Sequence, residues 1–234
     1  PLPKIHFGGY ADVSQLSGED FVEQLSNSYS DVGLDETIVI TRSNKRANVY
    51  NQGIRNQVLG MEDELCRGDR IMIVKNNYYW TVQKEEDEDL SLRLPNQNAE
   101  EPHGILASLD KDTNQWHDSH LNFLANGDCS EVKRVHHFRE LYGFHFADAD
   151  LEFPDYDNQE LSATVIMDSL QTETPSLSRK QSDQLFERVM EDYMDIPKMS
   201  DKMNKLREDS YFNALQIKFA YAVTCHKAQG GQWD

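Results

Sequence analysis

The chain has 234 residues, 38% of them hydrophobic, and its 41 acidic and 23 basic side chains give a formal net charge of −18. Such a chain can bury one or two cores, and it has no apolar run near the ~20 residues that a membrane helix needs. The charge argues against nucleic-acid binding by the surface as a whole. We find no signal peptide and only three scattered cysteines, so we expect a cytoplasmic protein with reduced thiols.

The first informative element is an apolar run at residues 37–42, which predicts a parallel strand covered on both faces. Ser43 can cap a following helix that ends at Gly60. The apolar face of this helix comprises Ala47, Tyr50, Ile54 and Val58. Residues 40–59 hold four basic side chains and no acid, so this strand and helix are where phosphate binding is expected.

The middle of the chain predicts a small β domain. A turn and a strand at residues 66–74 precede the aromatic cluster Tyr78, Tyr79 and Trp80, and a turn at 123–128 precedes strands at 132–135 and 161–167. The aromatic cluster could stack unpaired bases or belong to the core, and the sequence favours neither. Residues 85–174 carry 5 basic and 21 acidic residues, and the acidic run 85–89 predicts a solvated loop.

Two histidine groups, at residues 117–120 and at His136 and His137, superficially suggest a metal site. They lack nearby cysteines and further carboxylates at ligand spacing, so we expect solvated segments and no metal. Beyond them, apolar residues from Leu185 to Met194 recur at helical spacing and predict an amphipathic helix.

The last element alternates apolar and small residues over 215–223, which predicts one strand. It opens into a polar run with a hydroxyl, an imidazole, an ammonium group, two amides and a Gly–Gly pair. A strand that ends in this way presents polar groups at the carboxyl edge of a sheet, where α/β proteins bind phosphorylated ligands. A binding site for phosphate groups is therefore predicted after this strand.

Four segments carry a resemblance to a known family. The polar run matches T-x-H-K-x-Q-G-x-[EQ]-[FW] at Thr224, His226, Lys227, Gln229, Gly230, Gln232 and Trp233. It resembles the motif near the end of superfamily 1 DNA helicases of the RecD/Pif1-like branch, whose carboxyl-terminal domain is of the UvrD-like type. Residues 40–51 resemble the motif that opens the second RecA-like domain, and residues 68–76 and 124–132 resemble the start of an SH3-like insert.

The resemblance implies an α/β fold in which an incomplete RecA-like parallel sheet, a P-loop NTPase-like second motor domain, is interrupted by an SH3-like β-barrel. The first part of the motor domain would be residues 1–62. The barrel would be residues 63–175 with an acidic loop at 85–118, and residues 176–234 would form linking helices and the return to the motor domain. We expect the carboxyl-terminal part of a helicase of the exodeoxyribonuclease V alpha-subunit type, which couples ATP hydrolysis to translocation on single-stranded DNA and duplex unwinding.

The same resemblance assigns the site residues. Arg42 would be catalytic and, with Gly230 and Gln232, nucleotide-binding; Thr224, His226, Lys227 and Tyr79 would contact DNA. Arg42 could equally form a surface ion pair, and Asn44 and Asn51 could simply bond neighbouring turns. ATP and Mg²⁺ would be held largely by a first RecA-like domain, because this sequence has no G-x-x-x-x-G-K-[ST] phosphate loop. Single-stranded DNA and a nuclease or repair protein would be the partners, with no membrane.

Two alternatives remain open at this stage. The chain could be a non-catalytic module in which the acidic barrel binds a partner protein, or a single-strand-binding domain with a RecA-like remnant. By itself the chain is expected to lack ATPase activity, since the phosphate loop and the Mg²⁺ motif are absent from its sequence.

Overall fold

The computed structural model describes Gly8 and residues 12–81 and 123–229. Its helices are α1 (Phe21–Asp31), α2 (Asn44–Gly53), α3 (Asp168–Gln171), α4 (Arg179–Glu191), α5 (Met199–Arg207) and α6 (Cys225–Ala228). Its strands are β1 (Val39–Thr41), β2 (Arg70–Ile73), β3 (Cys129–Leu141), β4 (Phe144–Phe153), β5 (Gln159–Ile166), β6 (Leu215–Phe219) and β7 (Ala222–Thr224). The described residues group into two compact units, one up to Glu64 and again from Phe219, the other Leu65–Lys218.

The first unit is built on a two-stranded parallel sheet. β1 and β7 pair in parallel, with Val39 opposite Ala222 and Thr41 opposite Thr224. Helix α2 packs against both strands, and Ser43 caps it by accepting a hydrogen bond from the Arg46 N–H at 3.4 Å, as the sequence predicts. The parallel strand pair and its helix are therefore a small α/β unit.

Helix α2 continues into a π-helical turn, Ile54–Val58. The wider turn adds one residue to the helical repeat, and π-turns of this kind are frequent at functional sites. Gly60 then adopts φ of 67°, a left-handed conformation that glycine reaches without steric cost, and the helical segment ends there as predicted.

The second unit is a closed barrel of five strands in the order β2-β3-β4-β5-β6. The pairs β2–β3, β3–β4 and β4–β5 are antiparallel, and β5 and β6 run parallel. The interior consists of apolar side chains that are almost fully buried: Ile71, Ile73, Val132, Leu151, Phe153, Val165 and Ile217. Closing the sheet pairs its edge strands and buries a continuous apolar core.

Helices α4 and α5 cover a second apolar cluster beside the barrel. Phe144, Phe146 and Ile166 from the barrel strands pack there against Leu185 and Val189 of α4. Ser178 begins α4 with a capping box, in which Ser178 and Gln181 each bind the other's backbone N–H. The amphipathic helix predicted over 185–194 is thus present, although it begins and ends earlier in the chain.

The segment 215–223 is two strands, and the prediction of one strand beside residues 37–42 was wrong for its first half. Leu215–Phe219 belongs to the barrel, and only Ala222–Thr224 pairs with β1. The chain bends between them at Ala220 and Tyr221. The alternation of residue types did not predict this break, because β6 is buried on both faces.

Strand β4 was missed by the sequence analysis. Its carboxyl-terminal half alternates buried and half-exposed side chains, with Ala149, Leu151 and Phe153 inside and Asp150 and Glu152 outside. The sequence analysis treated these acids as an acidic stretch, but period-two acids on an outer face are typical of a barrel strand. No helix in the described ranges has both the length and the apolar character to cross a membrane.

Candidate functional site at the carboxyl edge of β1 and β7

The parallel pairing of β1 with β7 brings two distant polar segments to one edge. Thr41 and Thr224 form the last pair of the register. The buried Thr41 hydroxyl lies 3.2 Å from both the Val223 and the Ser43 carbonyl oxygens, so it ties the two strand ends together. The residues that follow each strand, 42–44 and 225–228, therefore leave the sheet on the same side.

Arg42 occupies the turn between β1 and α2 and is exposed. Within the described ranges, its guanidinium has no hydrogen bond or ion pair. Helix α2 begins two residues later, and the positive end of its dipole favours anions. This edge therefore combines a free planar cation with a helix start, both suited to a phosphate group.

The segment after β7 is a short helix, α6, so the prediction of an irregular polar loop was wrong for these residues. Thr224 is largely buried at its N-cap without a side-chain capping bond, His226 is exposed, and Lys227 is half-exposed. The Cys225 thiol lies 3.1 Å from the Thr41 carbonyl oxygen and holds the first turn against β1. His226 is thus accessible at the same edge as Arg42.

Gly230 and Gln232 lie outside the described residues, as do the acidic loop 85–118 and the histidine group at 117–120. Their predicted roles stay predictions.

Asn51 forms the most specific polar contact of the first unit, and its role is structural. It is buried on α2 and accepts a hydrogen bond from the Ala222 N–H at 2.7 Å. Its Nδ2 donates to the carbonyl oxygens of Phe219 and Ala222 at 3.1 and 2.9 Å. Asn51 thereby satisfies the backbone groups at the bend that leads into β7, two residues before Thr224.

Arg55, one turn after Asn51, is a buried residue that the sequence analysis did not identify as structural. Its guanidinium lies 4.2 Å from the centre of the Phe219 ring and donates to the Asp63 carbonyl oxygen at 2.7 Å. The i, i+4 spacing of Asn51 and Arg55 was the available signal, because such residues share one helix face. Together they hold the bend from the α2 side.

In the barrel unit, Tyr79 is engaged with neighbouring protein groups. Its hydroxyl donates to the Glu208 carbonyl oxygen at 2.9 Å, and its ring meets Trp80 edge-on at 5.0 Å. Tyr78 is instead 60% exposed and stacks on Phe123 with ring centres 5.2 Å apart. The exposed aromatic surface of the cluster is therefore Tyr78 with Phe123, whereas the sequence analysis chose Tyr79.

His136 and His137 lie on β3 beside acids of β4. His136 Nε2 is 2.8 Å from an Asp150 carboxylate oxygen, and His137 Nδ1 is 3.9 Å from Asp148. Hydrogen bonds from Ser162 and then His136 lower the pKa of Asp150, although burial opposes them. In the described part of the chain, no group of three or more His, Cys, Asp or Glu residues could hold a metal ion.

Comparison of the sequence with models of protein families and with curated proteins found no match. Functional inference therefore depends on the motif segments and on the geometry of the edge. That edge collects a free guanidinium, a helix N-terminus, an imidazole and a threonine at adjacent strand ends, which is a set of donors for phosphate oxygens.

Proposed function

We propose that this chain is the carboxyl-terminal part of an ATP-dependent DNA helicase of the RecD/Pif1-like branch of superfamily 1. The β1–β7 unit would belong to its second RecA-like motor domain, and the five-stranded barrel would be an SH3-like insert. ATP hydrolysis would drive translocation on single-stranded DNA and duplex unwinding.

The observation that carries the proposal is the parallel register of β1 with β7. The two helicase-like motifs are far apart in the sequence, yet the first includes Thr41 and the second begins at Thr224, which form the last pair of this register. Ligand sites of open α/β sheets lie at the carboxyl ends of neighbouring parallel strands.

Arg42 supplies the nucleotide side of the proposed chemistry. Charge builds on the γ-phosphoryl oxygens during transfer, and a planar guanidinium stabilises that charge. The phosphate loop and the Mg²⁺ ligands would come from a first motor domain, since this sequence holds neither motif. Mg²⁺ would neutralise charge on the β- and γ-phosphates, while Arg42 reaches the γ-phosphate from the opposite domain.

Thr224, His226 and Lys227 supply the DNA side. A hydroxyl, an imidazole and an ammonium group suit phosphate oxygens, which position a strand without reading its bases. Asn51 fixes the backbone at Ala222 and so limits where Thr224 and His226 can lie. A change in the nucleotide bound near Arg42 would shift helix α2. Through Asn51 this shift would change the proposed DNA contacts of Thr224 and His226.

The turnover of a protein that contains both motor domains tests the nucleotide side. Arg42→Ala should lower kcat by at least a hundredfold with little change in ATP affinity, because the charge matters most in the transition state. Arg46→Ala is the matched control, since Arg46 is exposed on the helix that follows Arg42. A wild-type kcat for Arg42→Ala would remove Arg42 from the site and overturn the proposal.

Binding of fluorescein-labelled dT20 to the 234-residue chain at low salt tests the DNA side. His226→Ala should weaken binding several-fold, because it removes a side chain suited to a phosphate oxygen. His145→Ala, an exposed histidine of the barrel unit, should leave binding unchanged. Equal effects of the two changes would show that the edge does not contact DNA.

A non-catalytic protein-binding module remains the second candidate. The observation that favours it is the acidity of the middle of the chain, with 21 acidic and 5 basic residues over 85–174. An acidic surface repels nucleic acid, so the barrel would serve a protein partner. Absence of dT20 binding by the wild-type chain at low salt would favour this candidate.

A further inference from the structure

A groove of about 850 Å³ lies within the barrel unit and is not used by the proposed helicase chemistry. One wall is the segment 75–79 after β2, the second is helix α4, and the floor is the segment 212–216 that leads into β6. Its volume lies in the range of sites for small ligands and short peptides.

The groove is held open by bonds between its own walls. Trp80 Nε1 and Asn77 Nδ2 both donate to the Asn213 carbonyl oxygen at 2.9 Å, and the Tyr79 hydroxyl donates to the Glu208 carbonyl oxygen. These contacts join the segment 77–80 to the segment 208–213, which leads into the floor. The site is therefore preorganised, which lowers the entropic cost of binding.

The groove offers unused donors on one side. Lys75 and Arg207 are exposed, and neither forms an ion pair with any described residue, whereas the lining acids Asp183 and Glu208 lie 4.0 and 2.9 Å from Arg179 and Lys205. Gln216 is 8% exposed, and its Oε1 accepts from the Leu177 N–H at 3.0 Å. Its Nε2 donates to nothing in the described ranges and is accessible at the groove floor.

The groove lining also includes apolar side chains. Phe186 of α4 and Phe212 of the floor meet edge-on at 6.2 Å, and both are half-buried against the buried Leu185. This wall can receive one bulky apolar side chain without a polar group being left unpaired.

We propose that this groove binds a short segment of a partner protein in which a carboxylate lies next to a bulky apolar side chain. Lys75 and Arg207 pair with the carboxylate, Gln216 Nε2 donates to a main-chain carbonyl, and Phe186 and Phe212 take the apolar side chain. A nucleic acid also carries anions and flat rings, but it is a polyanion. The described residues of this unit, 65–81 and 123–218, hold 20 acidic and 14 basic residues, which repel a polyanion more than a peptide with one or two carboxylates.

The test uses the 234-residue chain and a fluorescein-labelled peptide, Gly-Ser-Asp-Asp-Leu-Phe, measured by fluorescence anisotropy. We expect saturable binding that Lys75→Glu and Arg207→Glu each weaken by roughly tenfold. Lys180→Glu is the matched control, because Lys180 is exposed on α4 outside the groove lining, and it should change the Kd less than twofold. Replacing both aspartates of the peptide by asparagine should abolish the difference between wild type and the two groove variants.

Three outcomes overturn the proposal. The peptide does not bind, or Lys180→Glu weakens it as much as the groove variants do, or dT12 binds in the groove. The last outcome would be a dT12 affinity that Lys75→Glu and Arg207→Glu lower and Lys180→Glu does not, and it would assign the groove to nucleic acid. Thermal unfolding of each variant verifies that it is folded. The groove does not involve Arg42, Thr224 or His226, so failure here leaves the proposed helicase function untouched.

Discussion

The barrel and the β1–β7 strand pair differ in how far their side chains are buried. The barrel closes on itself, so side chains such as Ile71, Leu151 and Phe153 have no exposed surface. The strand pair has two strands, and Ile40 in β1 is 55% exposed. Its order depends on a few specific polar contacts, chiefly those of Asn51.

This difference indicates that the side chains that stabilise the fold and the candidate ligand-binding residues lie mainly in different units. A closed apolar core is stabilised by area and leaves polar groups on its outer face. The strand pair ends at one open edge, and its functional candidates Arg42 and His226 are exposed there. Residues that bind ligands need such exposure, so the less buried unit is the better place for chemistry.

The largest expected contrast between the two units comes from deleting apolar side chains. Phe153→Ala should lower the free energy of unfolding by about 3–5 kcal/mol, because it leaves a cavity in a filled barrel. Ile40→Ala should cost less than about 1 kcal/mol, since most of that side chain already contacts solvent. Urea unfolding followed by circular dichroism measures both. Equal losses would contradict the description of the strand pair as the less buried unit.

The second contrast concerns the polar clamp of the strand pair. Asn51→Ala leaves the Ala222 N–H and two carbonyl oxygens without their partner. This change should lower the free energy of unfolding by about 2–4 kcal/mol. Gln52→Ala, an exposed change on the same helix, should lie within about 0.5 kcal/mol of wild type. Hydrogen exchange at the Ala222 amide is the sharper measurement. Unchanged protection of that amide in Asn51→Ala would rule out the clamp.

The third prediction concerns Lys218 in the barrel unit. Burial lowers its pKa to about 8, while its Nζ donates to the Thr172 hydroxyl oxygen at 3.0 Å and to nearby carbonyl oxygens. Its unfolded pKa is about 10.4, so between pH 8 and about 9.5 the unfolded chain binds more protons. Stability should therefore rise across this window, by about 1 kcal/mol after solvent screening of a partly exposed group.

Lys218→Met should remove this rise, and Lys202→Met should keep it, because Lys202 is at the surface and donates to the Met194 carbonyl oxygen. Urea midpoints at pH 7.5, 8.5 and 9.5 measure the effect. A wild-type curve that is flat or falling would mean that the hydrogen bonds of the ammonium group outweigh its burial.

The smallest contrast compares two helix caps. Ser178→Ala removes a full capping box from α4 and should cost about 1 kcal/mol. Ser43→Ala removes a single 3.4 Å cap from α2 and should cost about half as much. Thermal unfolding of the two variants orders them. A larger loss for Ser43→Ala would mean that the cap also supports the edge beside Arg42.

Much of the local structure follows from the sequence. The strand before Ser43, the cap itself, the end of the helical segment near Gly60 and the amphipathic helix from residue 179 all have short-range signals in residue type and spacing. The position of Arg42 directly after β1 also follows, because a strand end and a helix cap bracket it. These features depend on residues within one or two turns of each other.

The division of 215–223 into a barrel strand and a motif strand could be decided only by the tertiary structure. Asn51 and Arg55 grip the bend at Phe219 from a helix that is remote in sequence, and no local pattern encodes that contact. The tertiary structure also decided which of Tyr78 and Tyr79 is the exposed ring, because the Tyr79 hydroxyl donates a hydrogen bond to the Glu208 carbonyl oxygen. Residue type and spacing determine which backbone conformations are favoured locally, whereas the contact partners of a side chain are set by chain segments that only folding brings together.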